Sequence, residues 1–166
     1  MDNIWKSGMY GLIIADAMGV PVEFTSREDR KLDPVTDMRG YGTYSQPEGT
    51  WSDDSSMAIA TLVSIRDNGK IDYKDIMDRF HDWCMNGAYT PFDEVFDIGI
   101  ATSRAIMKYS TGADPLQSGG ETEWDNGNGS LMRILPVCLY IFEKQKNVKL
   151  PDNEAIDIIH NCSALT

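Results

Sequence analysis

An almost unbroken apolar run over residues 57–65 constrains the fold of this chain more than any other stretch. Its apolar residues cover several faces of a helix, which is typical of a helix at the centre of a domain rather than at its surface. Two adjacent carboxylates, Asp53 and Asp54, come just before this run and directly follow Ser52. Two fixed negative charges at the mouth of a buried helix are costly unless something offsets them.

Two interpretations of these carboxylates remain open on spacing alone. In the first, Ser52 is an N-cap, and Asp53 and Asp54 occupy the first turn, where the helix dipole favours negative charge. In the second, the two carboxylates and the Ser52 hydroxyl bind a hard cation such as Mg²⁺, which prefers oxygen ligands. These oxygens do not complete the shells of a pair of octahedral ions, so the stretch needs further ligands.

Apolar residues at helical spacing predict further helices before and after this run. A long loop is predicted over residues 25–50, and long loops in compact domains are usually functional. The predicted helices cover residues 4–18, 72–86 with Asp72 as cap, 93–109, 128–144, and a last one capped by Asp152 with Ile156, Ile159 and Leu165 inside. Pro136 should kink the helix 128–144 or redirect its first turns. No stretch alternates with a period of two, so the chain is predicted to be all-α. Its 166 residues, 42% of them hydrophobic, suit a single domain over residues 1–166.

The composition excludes several classes of partner. The net charge is −11, and no cluster of Lys and Arg is present to bind nucleic acid or an anionic membrane. The chain opens without a signal-peptide pattern and its apolar runs are short, so a cytoplasmic location is expected. Three widely spaced cysteines predict reduced, mostly buried thiols instead of disulfides or a zinc site.

Other segments supply further candidate residues. Glu23 directly follows a helix stop and is either a solvated loop residue or a rigidly presented carboxylate. Asp97 lies among apolar neighbours, which leaves pairing, capping and a functional role open. A glycine-rich segment is expected to open a helix and to offer free N–H groups to a phosphate or ribose. Its residues are Gly127, Asn128, Gly129 and Ser130. Trp51 and Trp124 adjoin these motifs and are candidates for the core or for a pocket wall.

Four segments together resemble motifs of the ADP-ribosylglycohydrolase family, the group of dinitrogenase reductase-activating glycohydrolase. Residues 11–23, GLIIADAMGVPVE, resemble the opening motif, with Ala15 where glycine is usual. The other three are WSDDSSM at 51–57, FDIG at 96–99 and GNGSLMRILP at 127–136. They occur in the family's order and cover nearly the whole chain.

The resemblance implies a compact, all-α orthogonal bundle with two Mg²⁺ ions in a cleft. It implies hydrolysis of the glycosidic bond between ADP-ribose and an acceptor, which is a protein side chain or a small molecule. By the same resemblance, Ser52, Asp53 and Asp54 are metal ligands, and Glu23 and Asp97 act near the scissile bond. The resemblance assigns ADP-ribose binding to Gly127, Asn128, Gly129 and Ser130.

One departure from the family pattern concerns the metal site. The family usually continues to a second acidic motif, D-x-D-[ST], and this sequence contains no such motif. The expectation is that residues 1–166 form a truncated, N-terminal portion of the family domain. The alternative is a non-catalytic ADP-ribose-binding or structural homologue with an incomplete metal site.

Overall fold

A computed structural model describes residues 3–125, 127–147 and 151–166. Within these residues the chain forms α-helices and two 3₁₀ helices, Val20–Val22 and Pro115–Gln117, and no strand. The α-helices are α1 (Asn3–Gly19), α2 (Arg27–Leu32), α3 (Asp53–Asn68), α4 (Tyr73–Asn86), α5 (Ile100–Ser110), α6 (Leu135–Asn147) and α7 (Asp152–Ser163). The all-α prediction is confirmed. No helix in these described ranges is long and apolar enough to cross a membrane.

Helix α3 lies at the centre of the fold, as the apolar run predicts. It packs against α1, α4 and α6, and Met57 and Ala58 on it are completely buried. Ser52 is its N-cap, because the Ser52 side chain accepts a hydrogen bond from the backbone N–H of Asp54. The helix ends at Gly69, whose φ of 66° places it in the left-handed region that glycine adopts readily. The start of α3 is therefore held from several sides.

Two apolar clusters hold the helices together. The larger one joins α3, α4, α5 and the last residues of the chain. Its buried members are Met57, Ala60, Ile76, Met77, Phe80, Trp83, Ile106 and Leu165. The smaller one joins α6 and α7 through Val137, Ile141 and Cys162. The larger cluster anchors α3 and α5, which both reach the candidate site.

Two predicted helix starts are wrong. The predicted helix 93–109 begins only at Ile100, since Asp93 and Asp97 have φ values of 55° and 58°. Two left-handed residues cannot continue a right-handed helix. The predicted helix 128–144 begins at Leu135, with Pro136 in its first turn, where a missing N–H costs no hydrogen bond. Residues 128–133 form a bend and turns instead of a helix, so Pro136 lies at the helix start and does not kink a helix interior.

The predicted long loop also contains a helix. Helix α2 is capped by Ser26, whose side chain accepts a hydrogen bond from the Asp29 backbone N–H at 3.1 Å. Elsewhere the cap predicted at Asp72 is confirmed, because its Oδ1 accepts from the Asp75 N–H at 3.1 Å. Asp152 is the first residue of α7 and makes no cap, since Pro151 precedes it as the N-cap.

The face of α7 that turns inward differs from the prediction. Ile156 and Ile159 are 50% and 37% exposed, whereas Cys162 is buried. Leu165 is fully buried, as predicted. The three cysteines are free, but Cys138 is exposed, so the prediction of buried thiols is wrong there.

Candidate active site

A cleft of about 580 Å³ opens beside the start of α3. It is bounded by the chain after α1, the start of α5 and residues 124–125 and 127–132. Its lining carries five carboxyl groups: Glu23, Asp53, Asp54, Asp97 and Asp125. None of the described residues that line it is Lys, Arg or His. A larger hollow of about 650 Å³ lies between α4 and the segment after α5, and none of the predicted site residues lines it.

The start of α3 is held by Asp16, a residue of α1. The Ser52 backbone N–H and hydroxyl donate to the Asp16 carboxylate at 3.0 and 2.8 Å. The Ser55 backbone N–H and hydroxyl donate to it at 3.1 and 2.5 Å. Asp16 thus satisfies N–H groups that the first turn of a helix leaves without a partner. This role of Asp16 is not among the predictions, although an acidic residue among apolar neighbours in α1 is a usable signal.

Asp53 and Asp54 lie in an environment that disfavours negative charge. Asp53 is only 5% exposed. Burial, followed by the negative charges of Asp54, Asp97 and Asp16, raises the pKa of Asp53 to about 8. Burial is also the largest cause of the raised pKa of Asp54, which is about 6, and the negative charges of Asp16 and Asp97 add to it. Both carboxyl groups would be stabilised in their ionised form by a nearby positive charge.

The donor set at the start of α3 fits part of a Mg²⁺ site. Carboxylate and hydroxyl oxygens are the ligands that Mg²⁺ prefers. The Ser52 hydroxyl already donates to Asp16 and accepts from the Asp54 N–H, which leaves one lone pair for an ion. In the described part of the chain no three His, Cys, Asp or Glu side chains are grouped closely enough to hold a metal ion. Ser52, Asp53 and Asp54 would therefore provide only part of the ligand shell of such an ion.

Glu23 and Asp97 meet at the hydroxyl of Tyr44. This hydroxyl lies 3.1 Å from Glu23 Oε2 and also hydrogen-bonds Asp97 Oδ1. Burial, the hydrogen bond between Glu23 and Asp97 and the charge of Asp97 together raise the pKa of Glu23 to about 7, although the hydrogen bond from Tyr44 acts to lower it. Tyr44 is not among the predicted site residues. The only signal for it is its place in a long loop, and long loops tend to be functional.

The backbone around both carboxylates is in the left-handed region. Phe24, directly after Glu23, has a φ of 59°, and Asp97 has a φ of 58°. Such a conformation costs about 1–3 kcal/mol at a non-glycine residue and persists only where the surrounding structure holds it. These turns aim both carboxyl groups into the cleft that the start of α3 also faces.

The glycine-rich segment approaches the cleft without forming a helix start. Gly127, Asn128 and Gly129 line the cleft. Ser130 is not among the lining residues, and its hydroxyl oxygen accepts a hydrogen bond from the Ser163 hydroxyl at 2.8 Å. A Cβ on Gly129 would lie 2.7 Å from Thr102 Oγ1, so glycine permits the close approach to α5.

The two tryptophans beside the motifs have different positions. Trp124 lines the cleft and is 87% exposed, so it belongs to the pocket wall and not to the core. Trp51 is half-buried, and its Nε1–H donates to the backbone oxygen of Tyr89 at 3.0 Å. Trp51 therefore ties the approach to α3 to the chain after α4.

Comparison with known proteins places this geometry in a family. The family model described as ADP-ribosylglycohydrolase matches residues 5–166. The chain belongs to the ADP-ribosylglycohydrolase family. A solved structure titled ADP-ribosylglycohydrolase-related protein complex has a TM-score of 0.73 and 30% sequence identity. That match covers 96% of this chain and 47% of the solved chain.

Two curated members of the family are similar to this chain. The ADP-ribosylarginine hydrolase Tri1 of Pseudomonas putida (strain GB-1) is 33% identical over 135 residues, which is 81% of this chain and 35% of the relative. The ADP-ribosyl-[dinitrogen reductase] glycohydrolase of Rhodospirillum rubrum is 30% identical over 131 residues, which is 78% of this chain and 42% of the relative. The chain thus spans less than half the length of these family members.

Proposed function

We propose that this chain carries the cleft of a Mg²⁺-dependent hydrolase that cleaves the glycosidic bond between ADP-ribose and an acceptor. The observation that carries the proposal is the convergence of Glu23, Asp97 and the start of α3 on one acidic cleft. These residues come from three separate segments of a chain that belongs to the ADP-ribosylglycohydrolase family. The acceptor is a protein side chain or a small molecule.

Mg²⁺ is proposed to bind at Ser52, Asp53 and Asp54. The supporting observation is the raised pKa of both aspartates, which would fall when a cation favours their ionised forms. Two ions are expected in a complete site. When bound, Mg²⁺ supplies positive charge that polarises an oxygen of the substrate or lowers the pKa of a bound water.

Glu23 is proposed to transfer a proton from the attacking water to the acceptor. Its pKa of about 7 leaves it partly ionised at neutral pH, which suits a general base and, in turn, a general acid. A water oxygen forms a bond to C1′ of the ribose while the Glu23 carboxylate takes a proton from that water. The bond from C1′ to the acceptor breaks, its electron pair goes to the acceptor atom, and Glu23 returns the proton there. Asp97 is proposed to hold the substrate or the water beside Glu23.

Arginine is the proposed acceptor. The cleft is acidic, and among its described lining residues it has no positive side chain to repel a guanidinium group. Phe24, which is 85% exposed, and Trp124 both line it and offer ring faces on which a planar guanidinium can stack. The Pseudomonas putida relative is itself named ADP-ribosylarginine hydrolase. The substrate is accordingly an ADP-ribosylated arginine.

The proposed location is the cytoplasm. Cys84, Cys138 and Cys162 are all free thiols. Free thiols are usual in a reducing compartment and unusual where disulfides form.

Release of ADP-ribose tests the function directly. The complete natural protein that contains this sequence is incubated with ADP-ribosylarginine and Mg²⁺, with ADP-ribosylserine as a comparison. We expect Mg²⁺-dependent release from the arginine compound, and a loss of about 100-fold or more in Asp53→Asn, because a ligand of the metal is removed. No release by the unmodified protein, with Asp53→Asn behaving identically, would overturn the proposal.

A second candidate is a protein that binds ADP-ribose without hydrolysing a bond. The observation that favours this candidate is that the described residues include no group of three His, Cys, Asp or Glu side chains that could hold a metal ion. Calorimetry with Mg²⁺ and ADP-ribose separates the two functions. Tight binding of ADP-ribose with no turnover of any ADP-ribosylated compound would favour this candidate.

A further inference from the structure

We propose that Tyr44 is a positioning residue that holds the side chains of Glu23 and Asp97 together as one unit at the cleft. Its catalytic consequence rests on the hydrolase function proposed above, whereas the pairing itself can be tested without activity. The three residues lie far apart in the sequence, because Tyr44 is 21 residues from Glu23 and 53 from Asp97. No other described side chain is hydrogen-bonded to both carboxyl groups.

The hydroxyl of Tyr44 links the two carboxyl groups directly. It lies 3.1 Å from Glu23 Oε2 and is also hydrogen-bonded to Asp97 Oδ1. A phenol has one proton and donates it to one carboxylate at a time, but its oxygen also accepts a hydrogen bond. The Tyr44 hydroxyl is placed to donate to either carboxylate, and its oxygen is placed to accept a hydrogen bond when Glu23 is protonated. The hydroxyl can keep both carboxyl groups in place while Glu23 gains and loses a proton.

The ring of Tyr44 is fixed by the neighbours of both carboxylates. It lies 5.1 Å from the ring of Phe96, the residue before Asp97. It also makes an edge contact, at 6.3 Å, with the ring of Phe24, the residue after Glu23. Aromatic pairs at such distances are stabilising. Because these contacts involve the ring only, Tyr44→Phe removes the hydroxyl and retains the packing.

The loop that carries Tyr44 is attached to the segment that carries Glu23. The Thr43 backbone N–H donates to the oxygen of Pro21 at 3.1 Å, and the Thr43 hydroxyl donates to the backbone oxygen of Glu23 at 2.7 Å. Gly42 packs so closely that a Cβ there would lie 1.8 Å from the oxygen of Pro21. The position of Tyr44 is thus fixed by the preceding residues, Gly42 and Thr43, which pack directly against the segment that carries Glu23.

The two carboxyl groups need such a link because they repel each other when both are ionised. The charge of Asp97 contributes to the raised pKa of Glu23. No ion pair with Lys, Arg or His is formed by either carboxyl group within the described ranges. Without the hydroxyl, the two side chains would be joined only to each other, by the hydrogen bond that they share when Glu23 is protonated, and would separate when both are ionised. A displacement of about 1 Å at a reacting group can cost about 100-fold in rate.

The kinetic test compares two Tyr→Phe variants of the complete natural protein. Tyr44→Phe loses the hydroxyl that joins Glu23 and Asp97. Tyr41→Phe loses a hydroxyl from the same loop, at a residue that is 75% exposed. With ADP-ribosylarginine, we expect kcat of Tyr44→Phe to fall by about 10- to 100-fold, while KM and the melting temperature stay as in the unmodified protein. Tyr41→Phe should match the unmodified protein throughout. An unchanged kcat in Tyr44→Phe, or an equal fall in Tyr41→Phe, would overturn the positioning role.

A spectroscopic test does not depend on turnover. In protein labelled with ¹³C at Glu and Asp carboxyl carbons, Glu23→Gln and Asp97→Asn assign the two signals at fixed pH. Tyr44→Phe should move both signals, and Tyr41→Phe should move neither. If Tyr44→Phe moves neither signal or only one, the pairing is wrong whatever the activity. Moved signals in a protein that releases no ADP-ribose would support the pairing and contradict the proposed hydrolase.

Discussion

The start of α3 and the Glu23–Tyr44–Asp97 group face the same cleft but are held in different ways. Ser52 and Asp53 are buried at the start of a core helix, and Asp16 of α1 accepts hydrogen bonds from Ser52 and Ser55 there. Glu23 and Asp97 lie on irregular, half-buried segments and meet at a single hydroxyl. The first arrangement couples the site to the stability of the fold, and the second leaves the site adjustable without unfolding the core. Three substitutions test this difference.

The largest loss of stability is expected at the anchor of α3. Asp16→Ala removes the acceptor for both N–H groups and both hydroxyls of Ser52 and Ser55. Hydrogen bonds to a charged group are worth about 1.5–3 kcal/mol each, and they do not add fully in one network, so the free energy of unfolding should fall by about 2–4 kcal/mol. Asp16→Asn should lose less, because the amide oxygen can still accept. Urea unfolding of these variants measures the effect.

The control for this substitution is Asp82→Ala. Asp82 is exposed on α4 and accepts a hydrogen bond from the Asn86 side chain. Its removal should change the free energy of unfolding by about 0.5 kcal/mol or less. If Asp16→Ala unfolds at the same urea concentration as Asp82→Ala, the start of α3 is not anchored by α1 and the comparison above is wrong.

The local part of the α3 site could be predicted from the sequence, because its determinants are local. The Ser52 cap, the two acidic residues and the apolar run are neighbours in the chain, and together they predict a central helix with an acidic first turn. Asp16 could not be assigned in this way, since its partners lie 36 and 39 residues away. A hydrogen bond over such a separation leaves no periodic pattern.

The Glu23–Tyr44–Asp97 group is predictable from the sequence only in part, for a related reason. A helix stop makes Glu23 a candidate, and apolar neighbours make Asp97 one. The helix predicted from residue 93, however, places Asp97 inside a regular element. The left-handed backbone of Asp97 prevents that and turns the residue toward Tyr44. Helical periodicity does not report a single left-handed residue.

An intermediate effect is expected from the buried charge of Asp53. Burial raises the pKa of Asp53 to about 8, above the value near 4 of an unfolded aspartate. In the metal-free protein the folded state therefore binds more protons than the unfolded state between about pH 4 and 8, and stability falls as the pH rises through this window. Asp53→Asn should lessen this fall and unfold at a higher temperature than the metal-free unmodified protein at pH 8.

Thermal unfolding at pH 5 and pH 8 measures this dependence, with Asp152→Asn as the matched control. Asp152 is also a first-turn aspartate, but it is exposed on α7. Its substitution should leave the pH dependence unchanged. Mg²⁺ should restore stability at pH 8 in the unmodified protein and not in Asp53→Asn. If Asp53→Asn and Asp152→Asn showed the same pH dependence, the charge of Asp53 would not limit the stability of α3.

The smallest change in stability is expected in the loop that carries Tyr44. In Gly42→Ala the added Cβ would lie 1.8 Å from the oxygen of Pro21, so the loop must move away from the Glu23 segment. Because this contact lies outside both apolar clusters, the free energy of unfolding should fall by less than in Asp16→Ala, by about 1–2 kcal/mol. Activity should nevertheless fall by about 10-fold, since Tyr44 moves with the loop.

Gly11→Ala is the control for this last substitution. Gly11 is exposed in α1, and a Cβ there would have nothing within 4 Å. Alanine in a helix is favoured over glycine by about 1 kcal/mol, so this variant should be slightly more stable and equally active. If Gly42→Ala lost as much stability as Asp16→Ala, the loop would be part of the folding core. Activity and stability would then not be separable on the two sides of the cleft, because the hydroxyl that joins Glu23 and Asp97 would depend on the same cooperative unit that holds α3.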